Sequence, residues 1–126
     1  MNDDTRDPLT QRVIGAAIEV HRELGPGLLE SVYQRAMEIE LGLQGVTFTS
    51  QQRLPVCYKG VLLGDDLVMD LVVEGRLVVE LKAVETLCGI HEAQLLTYLK
   101  LSKIHTGLLL NFNVQLLKNG LKRMVL

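Results

Sequence analysis

Charged residues interrupt the most apolar stretches of this chain, and their types and spacing are those of a hard-cation site. The run Leu77-Val78-Val79-Glu80-Leu81-Lys82 is apolar except at Glu80 and Lys82. Residues two apart in a strand project to the same face, so these two side chains stand side by side. Asp70 interrupts the preceding run, Leu67 to Val73. With Glu74-Gly75 as a two-residue turn, Val73 falls opposite Arg76 and Asp70 opposite Val79, within about a residue of Glu80. A twist or bulge then points both carboxylates at one ion. Two carboxylates beside a lysine suit Mg²⁺ or Mn²⁺; zinc is not expected, since no Cys/His cluster accompanies them. The same residues admit a plainer arrangement, a Glu80 to Lys82 ion pair on an exposed strand face.

The elements that must position these groups follow from periodicity. Asp7-Pro8 reads as an N-cap followed by proline at the first helical position, and Leu9, Val13, Ala16, Ala17, Val20 and Leu24 recur at helical spacing. Gly25-Pro26-Gly27 stops that helix, and a second runs from near Leu28 to Leu41-Gly42, with Leu29, Val32, Ala36, Met37 and Leu41 as its apolar stripe. The period then changes to that of strands. A strand over 52–58, a turn at Lys59-Gly60 and a return over 61–63 make one hairpin; 67–73 and 76–82, joined by Glu74-Gly75, make a second. A helix from Thr86 or Gly89 to Ser102, with Ile90, Ala93, Leu96, Tyr98, Leu99 and Leu101 apolar, leads to a buried strand over 106–112 and a closing strand over 121–126, after a turn at Asn119-Gly120. The order predicts one α/β domain: a mixed sheet with helices on its faces and the last helix as a crossover.

Composition sets the boundaries. A chain of 126 residues is the size of one domain, and 48% hydrophobic content with 25 leucines and only five aromatics gives an aliphatic core. Residues 1–8 are expected to form a flexible N-terminus. No apolar run approaches the roughly 20 residues that cross a bilayer, and the acidic N-terminus is unlike a secretory signal, so the expected location is the cytoplasm. Cys57 and Cys88 are expected as free, partly buried thiols. The formal charge of -2 conceals an asymmetry. All the acids lie before residue 93, whereas the remainder carries only Lys100, Lys103, Lys118, Lys122 and Arg123. That segment leaves one face open to phosphates. Asp65-Asp66 reads as a solvated loop, His91 as a polar residue at a helix start, and Gly25-Pro26-Gly27 as a turn, since no Lys-Ser/Thr follows it to make a phosphate loop.

Four motifs in order carry a resemblance. They are Gly27-Leu28-Leu29-Glu30-Ser31-Val32-Tyr33; Asp70 followed by Glu80-Leu81-Lys82; His91-Glu92-Ala93-Gln94-Leu95-Leu96-Thr97-Tyr98-Leu99; and Gly107-Leu108-Leu109-Leu110-Asn111-Phe112. Together they resemble the small bacterial GxxExxY family, a branch of the PD-(D/E)XK nuclease superfamily with the restriction-endonuclease-like fold. The resemblance spans about residues 10–125. It implies that Asp70, Glu80 and the backbone carbonyl of Leu81 bind a Mg²⁺ or Mn²⁺ ion, that Glu30 reaches the ion or its waters, and that Lys82 holds or activates the attacking water. It further implies that Gln94 and Tyr98 touch the scissile strand or support the site, and that Tyr33 lines the same cleft. Met69 stands where the superfamily's name has proline. The expected function is hydrolysis of DNA or RNA phosphodiester bonds, with Lys100 and Lys103 as docking cations. The alternative is an interaction module for nucleic acid or protein that keeps the fold without turnover. A homodimer is also expected to be possible, because so small a domain has little surface for gripping a duplex alone.

Overall fold

The computed structural model describes residues 7–64 and 66–126, so most of the flexible start expected at 1–8, and Asp65 of the expected acidic loop, lie outside the described residues. Pro8 opens the first helix, α1 (Pro8–Leu24), and Asp7 is its N-cap. The Asp7 carboxylate accepts from the Thr10 hydroxyl at 2.8 Å and from its backbone N–H at 3.3 Å, the N-cap that the sequence prescribes. Gly25, at φ 70°, closes α1 by donating to the His21 carbonyl.

Then follow α2 (Glu30–Leu43), β1 (Phe48–Leu54), β2 (Cys57–Tyr58), β3 (Val61–Leu62), β4 (Leu67–Val73), β5 (Leu77–Lys82), α3 (Gly89–Ser102), β6 (Thr106–Asn111), a 3-10 turn (Leu117–Gly120) and β7 (Leu121–Val125). The five long strands form one mixed sheet in the order β1-β4-β5-β6-β7, with β2 and β3 as a separate ribbon. Only β5 and β6 run parallel, joined by α3 as the expected crossover. This is the predicted α/β class: a mixed sheet flanked by helices, consistent with the restriction-endonuclease-like fold. Among the described residues no helix is long and apolar enough to cross a membrane.

The sheet separates two cores. Alternate residues of β5 and β6 (Leu77, Val79, Leu81, Leu108, Leu110) pack with α1 and α2, while Val78 and Leu109 face Leu95, Tyr98 and Leu99 of α3. Glu80 and Lys82, in phase with Val78, therefore face α3. At Gly107 the Leu95 side chain of α3 lies close over the sheet: a Cβ there would stand 2.8 Å from Leu95 Cδ1.

Several expectations are corrected. The strand expected over 52–58 is two strands, because Pro55 has no N–H for a ladder. β1 instead starts at Phe48 and runs through exposed Thr49 to Arg53, an edge strand whose polarity hides its period. The buried stripe of α2 is Tyr33, Met37 and Leu41, and Leu29 is 73% exposed just outside the helix. In α3, Leu95 is buried and Ile90 exposed; apolar residues lie on several sides of this helix, so period alone left its phase open. Cys57 and Cys88 are free as expected, but exposed where partial burial was expected. They sit on the separate ribbon and at the α3 N-cap, beyond either core.

Candidate active site

β4 and β5 pair as Val73 with Leu77, Val72 with Val78 and Leu71 with Val79, then part: β4 continues against β1 and β5 against β6. This register is one residue from the expected one, because the turn uses Glu74, Gly75 and Arg76, with both Glu74 (φ 50°) and Gly75 (φ 67°) left-handed. The shift sets Asp70 directly across from Glu80, so no extra bulge is needed to bring them together. At the fork, Asp70 N–H donates to Glu80 Oε2 and Leu81 N–H donates to Asp70 Oδ2, each at 2.8 Å. Each carboxylate thus stands in for a ladder carbonyl and spares a half-buried N–H the roughly 1–3 kcal/mol of lost hydrogen bonding. Those bonds use one oxygen of each acid. Asp70 Oδ1 meets only Gln51 Nε2, at 3.3 Å.

The fork sets one buried carboxyl beside a partly exposed one. Glu80 is 3% exposed, and its carboxyl is pushed up to about 8, first by burial and then by the charge of Asp70, with Lys82 opposing. Glu30 is also raised, by burial and by Asp70, again against Lys82. Tyr98 is driven up to about 12 by burial, Glu80 and Asp70. Lys82 is not neutralised by Glu80: its Nζ donates to Gln94 Oε1 at 3.0 Å, and no ion pair joins it to either fork carboxylate. The ion-pair alternative for Glu80 and Lys82 is therefore not the arrangement present.

Asp70, Glu80, Lys82, Gln94 and Tyr98 thus lie together at the fork. Glu30, exposed in the first turn of α2, feels Asp70 and Lys82 from the rim. Among the described residues no three His, Cys, Asp or Glu side chains stand close enough to form a metal cluster, so the carboxylates gathered tightly are two, Asp70 and Glu80. Leu81 contributes its N–H to Asp70 while its side chain lies in the opposite core.

The expected cleft role of Tyr33 is corrected. The residue is fully buried, stacked on Phe112 with centroids 4.5 Å apart, and its hydroxyl donates to the Gly25 carbonyl at 2.6 Å. A tyrosine whose hydroxyl finds a partner is as good a core residue as phenylalanine, and spacing cannot tell the two uses apart. Lys100 is exposed two residues past Tyr98, and Lys103 lies at the C-terminal end of α3. α3 begins beside Lys82 and ends about 20 Å away at its fourteenth residue. Lys103 lies there with Arg76, Thr106 and Arg123.

Several supports were not foreseen. Gln34, one helical turn after Glu30, donates to the Asp70 carbonyl at 2.9 Å and ties α2 to the fork strand. Gln51, left-handed at φ 53°, aims its amide at Asp70. Asn111, buried at the end of β6 beside Lys82, accepts from Val84 N–H at 3.0 Å and donates to Val84 O at 2.9 Å, fixing the segment that leaves Lys82. An asparagine closing an apolar run was the available signal for the last of these; the spacing of four from Glu30 was the signal for Gln34.

A fork of antiparallel strands carrying Asp70, with Glu80-Leu81-Lys82 across from it, is the geometry that the PD-(D/E)XK motif describes. The family model of the PD-(D/E)XK nuclease superfamily matches residues 7–124, and the chain belongs to that superfamily. No curated protein and no solved structure matches it.

Proposed function

We propose that this protein is a Mg²⁺- or Mn²⁺-dependent nuclease of the GxxExxY branch, hydrolysing phosphodiester bonds of DNA or RNA. The observation that carries the proposal is the fork itself: two carboxylates on parting strands, one nearly dry and pushed to about 8, with a lysine that neither of them neutralises. A buried pair of acids held this way suits a hard divalent cation, and Asp70 and Glu80, each with one oxygen not engaged by the fork's backbone, are the residues that would hold it. The Leu81 carbonyl would complete the set, and Glu30 would act from the rim. Such an ion, when bound, offsets charge building on the phosphate and lowers the pKa of water.

The chain's own groups supply the rest. Lys82, held by Gln94, sets a fixed ammonium beside the reacting phosphate and orients the attacking water, a contribution that requires no reorganisation at the moment of reaction. Tyr98, kept protonated by its surroundings, is a hydrogen-bond donor available to the phosphate. Gln34 and Asn111 hold the strands that carry Asp70 and Lys82. The test is cleavage of labelled single-stranded, duplex and branched oligonucleotides with each cation and with chelator. Cation-dependent product supports the proposal; no product on any substrate favours a binding module without turnover.

A further inference from the structure

His91 has no task in the mechanism above, yet its ring is held in place beside the fork. It sits in the first turn of α3, where Cys88 N–H donates to His91 Nδ1 at 3.1 Å and Cys88 Sγ lies 3.6 Å from the same nitrogen. An imidazole nitrogen that accepts a hydrogen bond carries no proton of its own, so the ring hydrogen is on Nε2. That Nε2–H has no partner among the described residues.

His91 lines a cavity of about 330 Å³ together with Lys82, Ile90, Ala93, Gln94 and Thr97. The polar groups around this space have hydrogens to give. Gln94 already accepts from Lys82 through its amide oxygen at 3.0 Å, and its amide hydrogens have no partner among the described residues. Thr97 adds a hydroxyl. No acidic side chain lines the cavity, and Glu92, next in sequence to His91, is turned to Lys122 at 3.2 Å. A space with unclaimed N–H groups and no carboxylate is suited to an oxyanion, whose charge strengthens each bond that it accepts.

The position of His91 along α3 says which oxyanion. Tyr98 lies where it feels the charges of Glu80 and Asp70, Gln94 one turn earlier holds Lys82, and His91 one turn earlier again lies past Lys82, the last residue of β5. Residues three or four apart on a helix face have Cβ atoms about 5–6 Å apart, a step comparable to that between successive phosphates of a nucleic-acid strand. We infer that His91, with the Gln94 amide beside it, forms the subsite for the phosphate next to the scissile one, so that the fork acts on a strand carrying at least two phosphates. Lys82 stays with the reacting phosphate, and the neighbouring one is held by neutral donors. This inference rests on the proposed nuclease reading, and it has its own readout.

The experiment compares wild type with His91→Ala, His91→Glu and His91→Gln by three measurements: melting temperature, binding of short fluorescent DNA and RNA oligonucleotides in chelator, and KM and kcat for their cleavage with Mg²⁺ or Mn²⁺. Glutamate and glutamine at this helix position can both accept from the Cys88 N–H, so their melting temperatures should stay near wild type, while only glutamine also brings a donor. The expected result is a loss of oligonucleotide affinity of about tenfold or more in His91→Ala and His91→Glu, as for a lost hydrogen bond to a charged group, with most of the affinity kept in His91→Gln. In turnover the same loss should appear as a raised KM with kcat little changed, because a neighbouring phosphate is held equally before and during reaction. Wild-type affinity in His91→Glu overturns the inference and leaves His91 as a helix cap, whatever His91→Ala does; a loss seen only in kcat overturns it by placing His91 at the reacting atoms. Cation-dependent cleavage with all three variants like wild type would remove the subsite and leave the nuclease. His91-dependent binding with no cleavage under any cation would remove the nuclease and leave a phosphate-holding site, and no binding by wild type to any oligonucleotide, with or without cation, would remove both.

Discussion

Glu80 carries a proton at pH values where an ordinary glutamate has lost it, because burial and Asp70 both disfavour its charge. Its folded value, about 8, lies above the ordinary value of 4.5, so between those values the native state holds a proton that the unfolded chain has released. Its contribution is full below 4.5 and is lost as pH rises through about 8, so cation-free protein should lose stability across that window. The urea midpoint of wild type in chelator is expected to fall between pH 5 and pH 8.5, and that of Glu80→Gln to stay flatter. Parallel profiles would show that Glu80 is not held protonated. Lys82 has a different task two residues away. Lys82→Ala leaves both fork carboxylates and their backbone bonds in place, so cation binding and the urea midpoint should change little. Turnover should drop by about 10²-fold or more, as when a preorganised charge is removed from a transition state. A large loss of stability with cleavage retained would make Lys82 a structural residue.

At the scale of elements, helix ends and central strands were legible in the sequence because each carries a local physical signal. Asp7-Pro8, Gly25 and the apolar runs 67–73 and 77–82 are read from caps, left-handed glycine and strand alternation. The edge strand β1 was not, since its solvent-facing residues carry no alternation, and the one-residue register of the β4–β5 turn depends on two left-handed residues that sequence does not announce. The phase of α3 was hidden by apolar residues on several sides, and it is fixed by Gly107, where the sheet leaves room for Leu95. That packing is testable. Gly107→Val forces a branched side chain into the Leu95 contact and should destabilise the fold by about 1–3 kcal/mol through overpacking. A midpoint within a few tenths of a kcal/mol of wild type would mean that α3 rides farther from β6 than described.

Across the whole molecule, the sheet is a partition with the paired acids at one end and Lys103, Arg76 and Arg123 at the other. The core of the site was legible because its residues interrupt apolar strands and recur in ordered motifs. Its limits were not: Tyr33 has the right spacing and a buried destination, while Gln34 and Gln51 act through contacts between elements far apart in sequence. The central claim, that Asp70 and Glu80 form one divalent-cation site, is tested most directly by thermal unfolding with and without Mg²⁺ or Mn²⁺, in wild type and Asp70→Asn. Asparagine keeps an oxygen able to accept from Leu81 N–H, so the variant should fold. A cation that binds only the folded fork raises the melting temperature by mass action. The account predicts a concentration-dependent rise of several degrees for wild type and none for Asp70→Asn; an equal rise in the variant, or none in wild type at millimolar cation, would contradict it.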